Sequence, residues 1–347
     1  MYGGKTIAAV IPAYNEESFI GDVVETLPEF VDRAYVIDDA STDDTWNELR
    51  RAAEAVNEES SAEDDGVPVA EAEPEEARAP RQTASDGGVE FDRRVVPIRH
   101  EENRGVGGAI KTGYQHALDD GVDVTAVIAG DGQTEPDIVE RIITPVVEGD
   151  ADYAKGNRLL SQDRSDMPLF RQVGNFVLTV ITKIASGYWK LMDPQNGSTA
   201  ISHEALAAVD IDEMYEDYGY CNDLLIRCNT NQLRVADVSR RAVYKDEESH
   251  ITYSTYIPKV SALLLRGFLR RLHARYLGRD FHPLPFFYYL GAAGAGAGLV
   301  ATLKNVVSDD ADVAGSLGLF LLGWLFMLLA MVFDLEENRG LDVQVYE

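Results

Sequence analysis

The chain has 347 residues, with 31 basic against 59 acidic side chains and a formal net charge of −28. That length allows a large soluble core and leaves about 60 residues for a membrane segment. A field of this sign repels polyanions, so it argues against nucleic acid as a partner and is not itself a device for binding a sugar phosphate; a lysine-poor acidic surface instead fits the salty cytoplasm of a halophile, as in haloarchaea.

Residues 6–17, TIAAVIPAYNEE, read as a buried strand that Pro12 ends, followed by a polar turn in which Asn15 or Ser18 caps a helix through Leu27. Tyr14-Asn15-Glu16-Glu17 follows the apolar run at once, so no signal peptide is expected and the first hundreds of residues should stay cytoplasmic. RAYVIDDAS at 33–41 is a second strand, ending in Asp38 and Asp39, and Ser41 or Thr42 caps a helix around Thr45 to Val56. Strand, helix and strand at this spacing predict a parallel βαβ unit. Residues 57–93 are acidic, rich in Ala, Pro and Gly, and without apolar periodicity, which predicts a disordered surface insertion carrying no chemistry. A third strand at 94–99 leads into HEENRGVGGAIKTGYQHAL, where Gly105, Gly107 and Gly108 miss the dinucleotide-binding spacing and suit a close-packed helix start.

The stretch AVIAGDGQTEP, residues 126–136, organises the rest. A short buried strand runs into Gly130, Gly132 and Pro136, so Asp131 and Gln133 project from its C-terminal edge, where an open parallel sheet places its ligands. A carboxylate and a carboxamide two residues apart supply hard oxygens for a divalent cation that also holds a diphosphate. YAKGNR (153–158) is another strand end, delivering Lys155 and Arg158, and Arg164, Arg171 and Asn175 lead a helix to about Gly187; these cations suggest phosphate binding. Asp193, in the loop MDPQNGSTAIS, reaches toward the same mouth. Tyr218 to Asn229 is a helix carrying Cys221 and Cys228, which read as small core residues because the six histidines do not cluster beside them. Residues 233–249 read as an outlying strand and loop.

Residues 257–279 place Leu263, Leu264, Phe268, Leu272 and Tyr276 against Arg266, Arg270, Arg271, Arg275 and Arg279, an amphipathic basic helix suited to a lipid headgroup layer. Apolar runs at about 284–303 and 313–333 each have the ~20 residues needed to cross a bilayer. The linker KNVVSDDAD has one lysine against three aspartates, so the positive-inside rule puts both the N-terminal domain and the C-terminal tail (335–347) in the cytoplasm. GAAGAGAG (291–298) lets the two helices pack closely. The expected organisation is a domain at 1–250, an interfacial segment at 251–280 and a hairpin at 281–334.

In this order, VIPAYNEE, VIDDASTDDT, NRGVGGAIKTGY, AGDGQTEPD and KGNR resemble family 2 glycosyltransferases of the GT-A fold, in the dolichol-phosphate mannose synthase and polyprenyl-phosphate glucosyltransferase branch. The resemblance covers residues 6 to about 250 and implies an α/β fold with a mostly parallel, Rossmann-like sheet and helices on both faces. It implies that Pro12, Tyr14, Glu16, Asp38, Asp39 and Lys111 bind the nucleotide sugar, and that Asp131 and Gln133 bind Mg2+ or Mn2+. Ala129 stands where the family commonly has the first Asp of its DxD motif, leaving Asp131, Gln133, donor phosphates and waters to complete the metal shell. Arg158 and Arg171 fall where the family holds the acceptor phosphate, and Asp193 falls in the loop before the acceptor side. The implied reaction is inverting hexosyl transfer from GDP-mannose or UDP-glucose to dolichyl or polyprenyl phosphate, for protein glycosylation. Two alternatives stay open: transfer to a glycan hydroxyl, which needs a base such as Asp193 or Asp223, and a catalytically silent, membrane-anchored nucleotide-sugar binding protein.

Overall fold

The computed structural model describes residues 1–64, 91–130, 136–158, 169–239, 253–279, 281–308 and 312–345. In chain order the elements are β1 (Ile7–Ala13), α1 (Ile20–Glu25), β2 (Arg33–Asp38), α2 (Thr45–Asp64), β3 (Val95–Arg99), α3 (Val106–Asp119), β4 (Val124–Val127), α4 (Pro136–Val147), β5 (Tyr153–Asn157) and α5 (Leu169–Ser186). There follow β6 (Thr199–Ser202), α6 (His203–Ala208), a 3-10 turn at Ile211–Glu213, α7 (Tyr220–Thr230), β7 (Val235–Ser239), α8 (Tyr253–His273) with a π turn at Ala274–Arg279, α9 (Leu284–Val307), α10 (Val313–Glu337) and β8 (Asp342–Val345).

Among the described residues, eight strands form one sheet in the order β3-β2-β1-β4-β6-β5-β7-β8. All pairings are parallel except those of β6 with β4 and β5. The strands are apolar on both faces because both are covered. Along β1, Ile7, Ala9 and Ile11 enter one core with residues of α1, α2 and α4, while Ala8 and Val10 enter a second with residues of α3, α6 and α7. From β1 the chain goes to β2 on one side and later to β4 on the other, so the sheet has a topological switch point at the C-terminal end of β1. β6 runs the opposite way, and the loop that feeds it therefore opens at this same edge.

Several boundaries differ from the sequence reading. The first two turns of the stretch expected to be disordered continue α2 to Asp64, because Asn57 is clamped to β3: its Nδ2 donates to the Val95 carbonyl and its Oδ1 accepts from the Val95 amide. Residues 65–90 lie outside the described part. Helix α1 starts after Phe19 without a side-chain cap, since Asn15 is engaged with Thr42 instead. The strand expected to be outlying, β7, is internal to the sheet. The residues read as a C-terminal tail finish α10 and then form the edge strand β8, parallel to β7.

Helices α9 and α10, of 24 and 25 residues, are long and apolar enough to cross a membrane. They pack against each other closely: a Cβ on Gly291, Gly298 or Gly323 would strike the partner helix's backbone. Leu290, Val300, Leu321 and Val332 on their outer faces are exposed. The sheet holds the chain on both sides of this hairpin, β7 before it and β8 after it.

Candidate active site

The mouth between β1 and β2 is stitched by local hydrogen bonds. The Asp39 amide donates to the Ala13 carbonyl, the Asn15 amide to Ser41 Oγ, and the Glu16 amide to Thr45 Oγ1. Asn15 and Ala40 have φ of 57° and 60°, so both turns use left-handed backbone to bend tightly at the edge. Asp38 is fully buried and faces Arg99 Nε at 3.1 Å. Asp39 is also buried; it accepts from the Arg104 and Gly105 amides at 2.9 and 2.8 Å and lies 2.6 Å from His100 Nδ1. His100 in turn reaches Thr112 Oγ1 on α3. A carboxylate at a strand end, oriented by amides and an imidazole, can receive hydrogen bonds from a nucleobase or ribose. Tyr14 is exposed at the rim, with Pro12 and Glu16 half-buried beside it.

The second half of the mouth is built on β5. Arg158 follows this strand and grips Asp193 through Nε at 2.8 Å and Nη2 at 3.1 Å, and the Arg158 amide and Asn196 Nδ2 also donate to the same carboxylate. Burial opposes ionisation of Asp193, but the Arg158 hydrogen bond and charge, with Lys155 and Asn196, outweigh it and hold its pKa at about 2. Asp193 has φ of 46°, a left-handed conformation that these four donors keep in place. Beneath it, Asp237 on β7 accepts from Lys155 Nζ at 2.8 Å, Asn157 Nδ2 at 2.6 Å and the Met192 amide at 3.0 Å. Asp237 therefore braces both the strand end that carries Arg158 and the loop that carries Asp193.

Not every expected residue reaches this mouth. Lys155 is buried and turned onto Asp237, its register partner on β7, and the Met192 carbonyl. Lys111, expected at the nucleotide sugar, instead donates to Glu216 Oε1 at 2.9 Å and to the Asp212 carbonyl. The glycine-rich turn packs against the same loop: the Gly108 amide donates to the Glu216 carbonyl, and a Cβ at Gly105 or Gly107 would collide with the backbone of residues 215–216. Asp223 is buried between Arg227 and Arg270, at 2.7 and 2.9 Å. Asp131 and Gln133 lie outside the described residues, as does Arg164, and Arg171 sits in the first turn of α5 with its side chain outside the described part. The sequence reading missed His100, Arg104, Asn157, Asn196, Glu216 and Asp237. Of these, only Asn157 and Asn196 stand beside predicted site residues in sequence, where a polar residue at a strand end or loop is a usable signal.

The model of the family described as glycosyl transferase family 2 matches residues 8–70 and 47–209. Among curated proteins, the UDP-N-acetylglucosamine--dolichyl-phosphate N-acetylglucosaminyltransferase of Methanococcus voltae is 30% identical over 244 residues, 70% of this chain and 87% of that protein. An undecaprenyl-phosphate mannosyltransferase of Micrococcus luteus is 26% identical over 240 residues, 67% of this chain and 81% of that protein. Among solved structures, glucosyl-3-phosphoglycerate synthase from Mycobacterium tuberculosis, in complex with Mn2+, UDP-glucose and phosphoglyceric acid, superposes with a TM-score of 0.50 at 18% identity, over 76% of this chain and 80% of that one.

Proposed function

The chain belongs to glycosyl transferase family 2, and from that premise we propose that it transfers a sugar, with inversion, from a nucleoside diphosphate sugar to the phosphate of a dolichyl or other polyprenyl lipid. The observation that carries this reading is the state of the carboxylates near the acceptor side. A glycan hydroxyl needs a general base, whereas a phosphate monoester is already an oxyanion near neutral pH and needs only positioning. Asp193 is clamped by Arg158, whose hydrogen bond and charge hold its carboxyl well below the usual range and make it a poor proton acceptor, and Asp223 is enclosed by two arginines. The apolar hairpin and the polyprenyl phosphates in the relatives' names point the same way.

In this reading Asp39 receives the base or ribose, Tyr14, Pro12 and Glu16 flank it, and Arg158 and Arg171 hold the acceptor phosphate. The donor is a nucleoside diphosphate sugar: UDP-N-acetylglucosamine, named in one relative, joins GDP-mannose and UDP-glucose as a candidate. Asp131 and Gln133, two hard oxygen donors, suit Mg2+ or Mn2+. The segment that leads to them passes this mouth: a Cβ on Gly130 would lie 2.7 Å from the Pro12 carbonyl, so the chain after β4 runs directly against the end of β1. Such an ion supplies charge stabilisation to the departing nucleoside diphosphate. The protein's part is to align the acceptor oxyanion with the anomeric carbon: that oxygen forms the new glycosidic bond as the bond to the leaving diphosphate breaks. The arginines before α9 and the acidic linker after it support a catalytic domain on the cytoplasmic side, and β8 keeps the C-terminus beside that domain.

Full-length protein in detergent, offered each labelled nucleotide sugar singly with dolichyl phosphate and Mg2+ or Mn2+, should produce organic-soluble label with one donor. Asp131→Asn should abolish this, and Arg171→Ala should raise the apparent KM for dolichyl phosphate by about one to two decades while sparing that for the donor. Label transferred only to a glycan hydroxyl would replace the lipid phosphate as acceptor. Donor binding without turnover would leave a silent binding protein.

A further inference from the structure

The arginines of α8 were expected to face a lipid headgroup layer, and Arg271 does not. It is 0% exposed, as is its partner Asp334 in the last turn of α10. Nη1 and Nη2 donate to the two carboxylate oxygens at 2.9 Å each. The remaining donors cap the end of another helix: Nε reaches the Ala185 carbonyl at 3.0 Å and Nη2 the Ile184 carbonyl at 3.1 Å, both in the last turn of α5. Carbonyls there have no partner within the helix, and a cation is the favourable complement. Gly187, just beyond, has φ of 79° and no room for a Cβ beside the guanidinium.

The network continues into neighbouring elements. Asp334 also accepts from Tyr276 Oη at 2.9 Å and from Asn338 Nδ2 at 3.0 Å. Asn338 Oδ1 accepts from Arg275 Nη1 at 2.6 Å and from Asn229 Nδ2, on α7, at 2.7 Å. The ends of α5, α7 and α10 thus meet on two arginines, one in α8 and one in the π turn after it.

A buried ion pair is a poor stabiliser, because desolvation of both charges offsets their attraction; what it supplies when all its donors are placed is a fixed geometry. We propose that Arg271 is a positioning residue that ties the acceptor-binding helix α5 to the membrane helix α10 and so sets the height of the acceptor-phosphate site above the bilayer. This rests on the reading of Arg171 as an acceptor ligand. Helix α5 has 18 residues, with Arg171 in its first turn and the Arg271 contacts in its last. It is a rod about 27 Å long, so a tilt of about 5° at the anchored end moves the other end by about 2 Å. A soluble acceptor can follow such a shift; a phosphate fixed at the membrane surface by its own lipid tail cannot.

The test uses full-length protein in lipid nanodiscs, with two variants: Arg271→Lys, which keeps charge but loses the fork, and the double change Arg271→Met with Asp334→Leu, which leaves no unpaired buried charge. Each is assayed with long-chain dolichyl phosphate in the disc and with a short, water-soluble prenyl phosphate. The expected result is a rise of more than about tenfold in apparent KM for the embedded acceptor, with donor KM and turnover of the soluble acceptor within about twofold of wild type. Equal losses with both acceptors, or no loss with either, would overturn the proposal. If wild type itself uses neither lipid phosphate, the functional reading has failed rather than this one. Should Arg271→Lys not fold, the charge-free double variant decides the matter, and failure of both to fold would show a purely structural role and overturn it too.

Discussion

Arg158 grips Asp193 and Arg271 grips Asp334 through the same two-pronged geometry, at 2.8 and 3.1 Å in the first pair and 2.9 Å twice in the second. Their surroundings differ. The Arg158 side chain is 42% exposed at the strand mouth, whereas Arg271 and Asp334 are sealed. An arginine at a solvent edge can exchange part of its hydrogen bonding for a ligand's phosphate at little cost, while a sealed one has no alternative partner and acts as a fixture. In a chain with so few cations, burial separates an arginine that a ligand can reach from one that only holds the frame.

The largest expected effect tests the sealed pair. Asp334→Leu strands a charged guanidinium in the interior and should destabilise the protein by about 3–5 kcal/mol, with most of that restored when Arg271→Met is added. Thermal unfolding in detergent measures both, and equal stability of single and double variants would show that the pair is wetter than its burial implies. Arg158→Ala should weigh differently: a smaller stability loss than Asp334→Leu, because the arginine is partly exposed even though Asp193 is left without its main partner, but a loss of about 1.5–3 kcal/mol in acceptor binding. A large stability loss with unchanged acceptor KM would erase the distinction between the two pairs.

Asp193 and Asp342 should respond to pH in opposite directions. Because the folded-state pKa of Asp193 is lowered, to about 2, its contribution to stability is complete above the usual carboxylate range near pH ~4 and is lost as pH falls toward 2. Denaturation midpoints of wild type and Asp193→Asn should therefore converge through that window. Asp342, on β8, has the opposite sign. Burial raises its pKa to about 6 against the opposing Lys190 and Trp189 amides, so docking of the strand is firmest below about pH 4 and weakens as pH rises through 6. Hydrogen exchange at residues 342–345, corrected for intrinsic rates, should show this smallest effect, and Asp342→Asn should remove it.

The strands and the ends of β1, β2 and β5 were legible because a doubly covered sheet writes itself as apolar runs, and turn residues mark where they end. Asp38, Asp39 and Arg158 stand at such ends and were found there. Inward cations were not: Lys155 looked like a phosphate ligand because its partner Asp237 lies 82 residues away. Arg271 and Asp334, 63 residues apart, were hidden in the same way. Helical periodicity gathers Arg270, Arg271 and Arg275 on one side of α8 and its π turn, yet it does not say whether that side meets lipid headgroups or carboxylates. Lys111 was read as a nucleotide-sugar ligand, and nothing in its sequence neighbourhood announced its partner Glu216, 105 residues further on.

The edge strand β8 also orders the events of folding. It is synthesised after α9 and α10, so the sheet remains open at β7 until the apolar hairpin has been disposed of, and only then can the last pairing form. An open edge is a template for pairing with other chains. A catalytic domain cut before the hairpin to make it soluble would carry that edge permanently exposed, and self-association through β7 would follow from the missing strand rather than from any greasy surface left behind.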